Sequence, residues 1–457
     1  GVDDQWIREL MDAGASPMHE GNPHQIGYQA LAPLLEHGQY DERFLVPVAE
    51  HMVRLDKAND GMLGGGGIDN PYVIGPSDSN ANPLNSALVA LDNNPDAAAA
   101  FFSNPEEYLP YNAPEDGPYI TDGLNTGTNL APTGNNVEYL LDRASDSSYY
   151  DHGGYINPDR LGNALEAGAT GMSSDAPSDA TPPQHTEANA TVAERTVSYF
   201  GGENVDKIEP GGNLEATADN VTDVVANHMV DVHNSLLPSG GQDDVSVDHP
   251  GAESQFDRAA TERLLYGLGK HEDSVLTLSG ANEAATAVLV AEGYEQYGGD
   301  PANNTWIEDA VDPGGKINGI LADGSVTEIV EAGQASDEEH NERADLIAGG
   351  VNTVLGQTPL DDVPIAGGLY EDLVNGVAES YHVDTRVETT YDGQVDLDSH
   401  RSDSGERMAS AVEQALVHTH GLTPEAAQAY VRERGLSGSD FEDLFDRGYG
   451  VVEDDWR

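Results

Sequence analysis

Apolar residues near the start of the chain recur at three- and four-residue intervals: Ile26, Leu31, Leu34 and Leu35, then Phe44, Val48, Met52 and Leu55. That spacing puts them on one stripe of an α-helix, and Gly38 interrupts it, so the pattern predicts a helical hairpin. Residues 59–82 are rich in Gly, Asn, Asp and Pro, include Gly64 to Gly67, and predict a long loop. Asn82-Pro83 then begins a helix through Leu84, Leu88 and Leu91. Asn94-Pro95 begins a second through Ala97 to Ala100, Phe101 and Phe102. A capping side chain followed by proline at the first helical position is a local start signal.

Periodicity lapses over residues 105–133, resumes at Val137 to Arg143, and returns after Pro158 with Leu161 and Leu165. The Ser-, Asp-, Ala- and Pro-rich stretch Gly171 to Pro183 reads as a linker. Longer helices are predicted beyond it, over Thr186 to Tyr199, Leu214 to Leu237, Gln255 to Leu268, Asn282 to Tyr297, Val326 to Leu355 and Tyr370 to Tyr381. Residues Val383 to Asp403 are acidic and turn-rich, with a brief alternation at Val387 to Tyr391 that suggests a hairpin-like excursion. Thr423 with Pro424 predicts another helix start, and Ser439 with Glu442 a capping box. The expected fold class is therefore mainly all-α, with bundle-like modules joined by irregular Gly-, Asn- and Pro-rich loops. An N-terminal module over residues 1–172, a linker over 173–185, a long-helix bundle over 186–400 and a short-helix segment over 401–457 are expected. Glu194-Arg195 with Gly201 and Glu262-Arg263 with Gly269 share a spacing that hints at a duplicated helical unit.

Charge alters what these helices can do. Asp and Glu number 82 against 20 Lys and Arg, for a formal charge of −62, and lysine occurs only at Lys57, Lys207, Lys270 and Lys316. Nucleic acid is excluded as a partner, because phosphate backbones select clustered cations. Repulsion at this charge strains a fold in dilute buffer, whereas 1 M salt shortens the Debye length to about 3 Å and relieves it. The composition therefore reads first as adaptation to high salt, with polyvalent cations or a basic partner as the alternatives. No cysteine is present, which excludes disulfides, thiolate nucleophiles and cysteine-held metals. The longest apolar stretch, around Ala284 to Ala291, falls short of the ~20 residues a bilayer requires, so membrane insertion is not expected. The chain opens at Gly1 rather than Met, as a processed precursor or excised fragment would. An extracellular or cell-surface location is expected, with the cytoplasm of a salt-adapted organism as the alternative.

Such acidity devalues carboxylate motifs, since any fixed spacing yields roughly fifteen acidic pairs by chance. The densest group, Asp392, Asp396, Asp398, Asp403 and Glu406 around Gly393, has the oxygen ligands calcium takes, without EF-hand spacing. Asp56, Asp60 and Gly61 resemble the start of a calcium loop, but Gly67 stands where its bidentate Glu belongs. His228 and Asp231 share a helix face from which His233 is turned away, a poor metal geometry. Glu338, Glu339, His340 and Glu342 read as a solvated face, and His418 and His420 point apart. Neither His-Glu-x-x-His nor Gly-x-Ser-x-Gly occurs, Ser147, Asp151 and His152 lack an oxyanion-hole signature, and Gly64 to Gly67 lack the Lys of a phosphate loop. Trp6 and Trp456 are candidate contact residues for a neighbour, or else close the core.

Four motifs read together: ALAPLLEHGQYDERFL at residues 30–45, NPDAAAAFF at 94–102, YLLD at 139–142 and LGNALEAGATG at 161–171. Their order resembles a family of large, mostly helical actinobacterial proteins without assigned activity. Members are encoded near small WXG-type helical proteins, type VII secretion components and polymorphic toxins. The resemblance spans most of Gln25 to Thr390 and carries no catalytic residue. It implies a non-enzymatic structural or adaptor protein of secretion or toxin delivery, acting by protein–protein contacts. A self-assembling extracellular fibre or surface-layer subunit with calcium-bridged carboxylates is the second expectation. A hydrolase using carboxylates or His228 and Asp231 is the third.

Overall fold

Asparagine, aspartate and threonine side chains start six of the described helices, as their ability to accept from exposed backbone N–H groups dictates. Asp41, Asn82, Asn135, Asn157, Asp257 and Thr423 each accept a backbone N–H of the first helical turn. Each such cap stabilises its helix by about 1 kcal/mol. A computed structural model of the chain describes residues 4–19, 22–59, 63, 82–104, 108, 120–121, 124–125, 134–146, 155–177, 180, 182–237, 251–297, 305–329 and 393–449. The chain is predominantly helical, the all-α class its periodicity predicts.

Two units divide it. The first comprises Gly1–Ala176, His185–Thr196 and Gly211–Val221; the second comprises Pro177–Gln184, Val197–Pro210 and Thr222–Arg457. The first holds α1 (Asp4–Ala15), α2 (Gly27–Leu35), α3 (Glu42–Ala58), α4 (Pro83–Asp92), α5 (Pro95–Ser103), α6 (Asn136–Ser145) and α7 (Pro158–Thr170). Strands β1 (Pro17–His19) and β2 (Asn22–Ile26) pair antiparallel, as do β3 (Ile120–Thr121) and β4 (Leu124–Asn125). Helices α4 and α5 pack on α7, α2 packs on α4, and α3 packs on α5. Their meeting faces bury Leu45, Met52, Leu88, Phe101, Phe102, Leu161 and Leu165.

Helix α8 (Glu187–Phe200) contributes residues 187–196 to the first unit and 197–200 to the second. Helix α9 (Val205–Ile208) follows, and then α10 (Ala218–Asn227), which is likewise shared between the units. The second unit continues with α11 (Met229–Leu236), α12 (Arg258–Leu268), α13 (Glu272–Tyr297), α14 (Thr305–Ile329), α15 (Gly393–His420), α16 (Pro424–Glu433) and α17 (Gly438–Gly448). Helix α13 is enclosed, with every residue from Ser274 to Ala291 buried. Its length and composition would suit a membrane span, longer than the apolar stretch the sequence picks out. Its apolar window is nonetheless wholly buried by protein, the setting of a core helix.

Helix α14 runs through Pro313, Gly314 and Gly315, which locally read as a break. Packing explains the glycines: a Cβ on Gly314 would meet Met408 and Thr286, one on Gly315 would meet Leu444, and one on Gly319 would meet the Phe445 carbonyl. Glycine there lets α13, α15 and α17 approach the α14 backbone closely.

Several predicted boundaries move. Helix α13 starts at Glu272 rather than Asn282, because a helix buried all round shows no polar face to mark its extent. The predicted Leu214 to Leu237 helix breaks at His228, whose backbone leaves helical values (φ −103°, ψ 24°). The turn-rich reading of Val383 to Asp403 gives way to helix from Gly393 onward. The capping box lies two residues earlier, on Ser437 and Asp440. Beyond Ile329, the predicted Val326 to Leu355 helix lies outside the described residues, as does Tyr370 to Tyr381.

Candidate functional site

The second unit gathers polar side chains from four helices into its core. His233 of α11 is buried, and its Nε2 lies 2.8 Å from Asn282 Oδ1 on α13. The Asn282 amide nitrogen donates to the Gly314 carbonyl and to Asn318 Oδ1 on α14, both at 2.9 Å. Asn318 donates in turn to Ser404 Oγ on α15 at 2.9 Å. Because both amide hydrogens of Asn282 are committed to oxygens, its Oδ1 must accept and His233 must donate. The imidazole is thereby the Nε2–H tautomer, and Nδ1 has no partner among the described residues. Burial lowers the His233 pKa to about 4, partly offset by the Asn282 hydrogen bond, and so keeps the ring neutral.

One residue along α13, Glu283 meets Arg407 of α15 at 2.8 Å, with side-chain exposures of 2% and 7%. Burial outweighs the guanidinium and pushes the Glu283 carboxyl up to about 7.

His228 and Asp231, which share a face in the sequence reading, do come together. Asp231 Oδ2 lies 3.3 Å from His228 Nδ1, and the Ser254 hydroxyl lies 3.0 Å from the same nitrogen. A nucleophile–base relay needs the serine and the carboxylate on opposite ring nitrogens, so the three residue types of a hydrolase meet here without its geometry. The Ser254 backbone N–H donates to Asp231 Oδ2 at 3.0 Å, and Phe256 lies edge-on to the His228 ring at 6.1 Å. The arrangement ties residues 251–257 onto the break between α10 and α11. His233 lies apart from this group, on Asn282.

The first unit treats its ionisable groups similarly. Asp56 is buried in α3 rather than opening a calcium loop. It accepts from Arg143 Nε at 2.8 Å, the Tyr139 hydroxyl at 3.0 Å and the Leu63 N–H at 3.2 Å. Burial and the adjacent Asp56 raise the Tyr139 pKa well above its usual value. Buried Glu50 accepts from Arg54 at 2.7 Å and from Asn136 at 2.9 Å. His51 shares a 2.6 Å hydrogen bond with the Tyr28 hydroxyl, and burial, helped by Arg54, lowers its pKa to about 4.

Of the calcium candidates, Asp396, Asp398, Asp403 and Glu406 fall on α15, where Glu406 is exposed; Asp392 lies outside the described residues. Trp6 is exposed on α1 and touches Phe44, whereas Trp456 lies outside the described residues. Ser147, Asp151, His152 and Glu338 to Glu342 also lie outside them. His420 donates from Nε2 to the Ala291 carbonyl at 2.8 Å, pinning the end of α15 to α13. Sequence reading missed the Asn282, Asn318 and Ser404 chain. Its one local signal is the placing of Asn and Ser among small apolar residues in otherwise buried helices.

A model of a family of unknown function (DUF6571) matches residues 37–450. No curated protein and no solved structure matches the chain.

Proposed function

The chain belongs to this family of unknown function, and we propose that it is a helical adaptor acting through protein–protein contacts. The reading rests on one observation. The His233–Asn282–Asn318–Ser404 chain commits core polar groups of α11, α13, α14 and α15 to each other. Buried networks of this kind hold packed helices in one arrangement. Glu283 with Arg407 and Asp56 with Arg143 serve the same end. Recognition then falls to the outer faces of the helices, set in a strongly anionic surface.

Service in secretion or toxin delivery is the finer part of the proposal, and the four motifs at residues 30–45, 94–102, 139–142 and 161–171 support it. Native mass spectrometry of the chain recovered in high salt from the organism that makes it provides the test. A stoichiometric complex heavier than the 48.4 kDa chain is expected. A bare monomer at every salt concentration would remove the adaptor reading.

A further inference from the structure

Among the described residues, the large apolar side chains left exposed are Trp6, at 50%, and Leu34, at 65%. An aromatic cluster links the two positions. The Trp6 ring lies 5.8 Å from Phe44, Phe44 lies 5.4 Å from Tyr40, and the Tyr40 hydroxyl donates to the Leu34 carbonyl. Helices α1 and α2 pack together, and each carries further apolar residues outside its buried face. Leu10 and Ala13 follow Trp6 at helical spacing on α1 with Leu10 half-buried and Ala13 exposed, while exposed Ala30 precedes Leu34 by one turn on α2. Two short apolar rows on adjacent helices, joined at one end by an aromatic cluster, match the anchors a helix presents at i, i+3, i+4 and i+7. Half-exposed tryptophan is also the side chain most enriched at binding hot spots.

Charge selects the occupant. Glu9 and Asp12 on α1 and Asp41 and Glu42 at the start of α3 flank the patch, against Arg8 and Arg43, and the chain as a whole carries −62. A second copy would set these carboxylates against their own kind, and an anionic lipid surface would be repelled. We infer that the Trp6–Phe44–Tyr40–Leu34 patch docks a basic amphipathic helix of a partner protein, apolar side inward and Lys or Arg along its flanks. This rests on the adaptor reading and names its surface.

The test uses the full chain at the lowest salt concentration at which circular dichroism shows it folded, so that charge selection is not screened away. The probe is a fluorescently labelled synthetic helix with Leu at i, i+3, i+4 and i+7 and Lys elsewhere. Control peptides carry Glu in place of Lys, or the same composition with the leucines scattered. Saturable binding of the first peptide is expected, at least about tenfold tighter than either control, which is ~1.4 kcal/mol. Trp6→Ala with Leu34→Ser should weaken it by about tenfold or more, while Trp6→Tyr should keep most of it. Equal binding of the scattered peptide, or equal binding by the double variant, overturns the proposal, because attraction to general acidity then suffices. Trp6-dependent self-association in the ultracentrifuge also overturns it, in favour of a second copy. If the double variant still captures a partner that the wild-type chain captures, this surface is wrong and the adaptor reading stands. If the wild-type chain captures none, the adaptor reading falls with it.

Discussion

Asn282→Ala is the sharpest perturbation of the helical core. The amide accepts from His233 and donates to the Gly314 carbonyl and to Asn318, with the two donated bonds at 2.9 Å and the His233, Asn282 and Asn318 side chains all buried. Its removal strands the His233 Nε2–H and the Asn318 Oδ1, and each buried polar group left unmatched costs about 1–3 kcal/mol. The small cavity adds to this, so a loss of about 3–5 kcal/mol is expected, a large fraction of the ~5–15 kcal/mol that holds a typical domain. Asn282→Leu with His233→Leu removes donor and acceptor together and should cost less than the two single changes summed, by about 1–3 kcal/mol. The assay is urea unfolding in constant high salt. Trp306, fully buried in the second unit, serves as the fluorescent reporter in a Trp6→Phe, Trp456→Phe background. A loss below about 1 kcal/mol for Asn282→Ala, or strict additivity in the double variant, would refute the claim that this chain of hydrogen bonds fixes the helices.

Four further outcomes are open to direct measurement. His51 and His233 have folded pKa values lowered from 6.5 to about 4, so the stability they support is complete above pH 6.5 and lost as pH falls toward 4. That loss amounts to at most about 3–4 kcal/mol each. Glu283, raised from 4.5 to about 7, acts in the opposite sense, losing stability as pH climbs through that interval. Glu283→Gln should therefore remove the fall of melting temperature between about pH 4.5 and 7 that this group contributes. Arg143→Met leaves Asp56 buried beside Tyr139 without its cation and should cost about 3–5 kcal/mol by denaturant titration, whereas joint Asp56→Leu and Arg143→Met should recover much of it. Chelating calcium at constant ionic strength tests the acidic candidates Asp392, Asp396, Asp398, Asp403 and Glu406: a drop in melting temperature or mass would favour assembly through them, and no change would remove it.

Helix starts were legible because their signals are local. Asn82-Pro83, Pro158 and Thr423-Pro424 each mark a helix that begins at its proline. What depends on distant chain was not legible. Pro313-Gly314-Gly315 reads as a breaker until Met408 and Leu444, far along the chain, show why side chains are missing there. Helix α13 lacked a polar stripe to mark its first turns, since it meets protein on all sides. Asp56 looked like a ligand because its partner Arg143 stands 87 residues away. Around Ser437, several serines and acids within a few residues offered competing capping boxes, and only backbone geometry chose between them. The His228–Asp231 pairing was visible as a helix face, but Ser254 reached the same ring nitrogen from another segment, which no spacing rule encodes. Exposure of Trp6 was equally invisible, because a tryptophan near a chain start can close a core or leave it open.

The central claim is that buried polar groups serve the fold while surfaces serve the function, and His228→Gln separates the two most directly. With the captured partner in hand, calorimetry in high salt should give the same affinity and stoichiometry for the folded variant as for the wild-type chain. Loss of partner binding with the fold intact, or turnover of the partner by the wild-type chain that the variant cannot perform, would contradict the account and return His228, Asp231 and Ser254 to consideration as a reactive site.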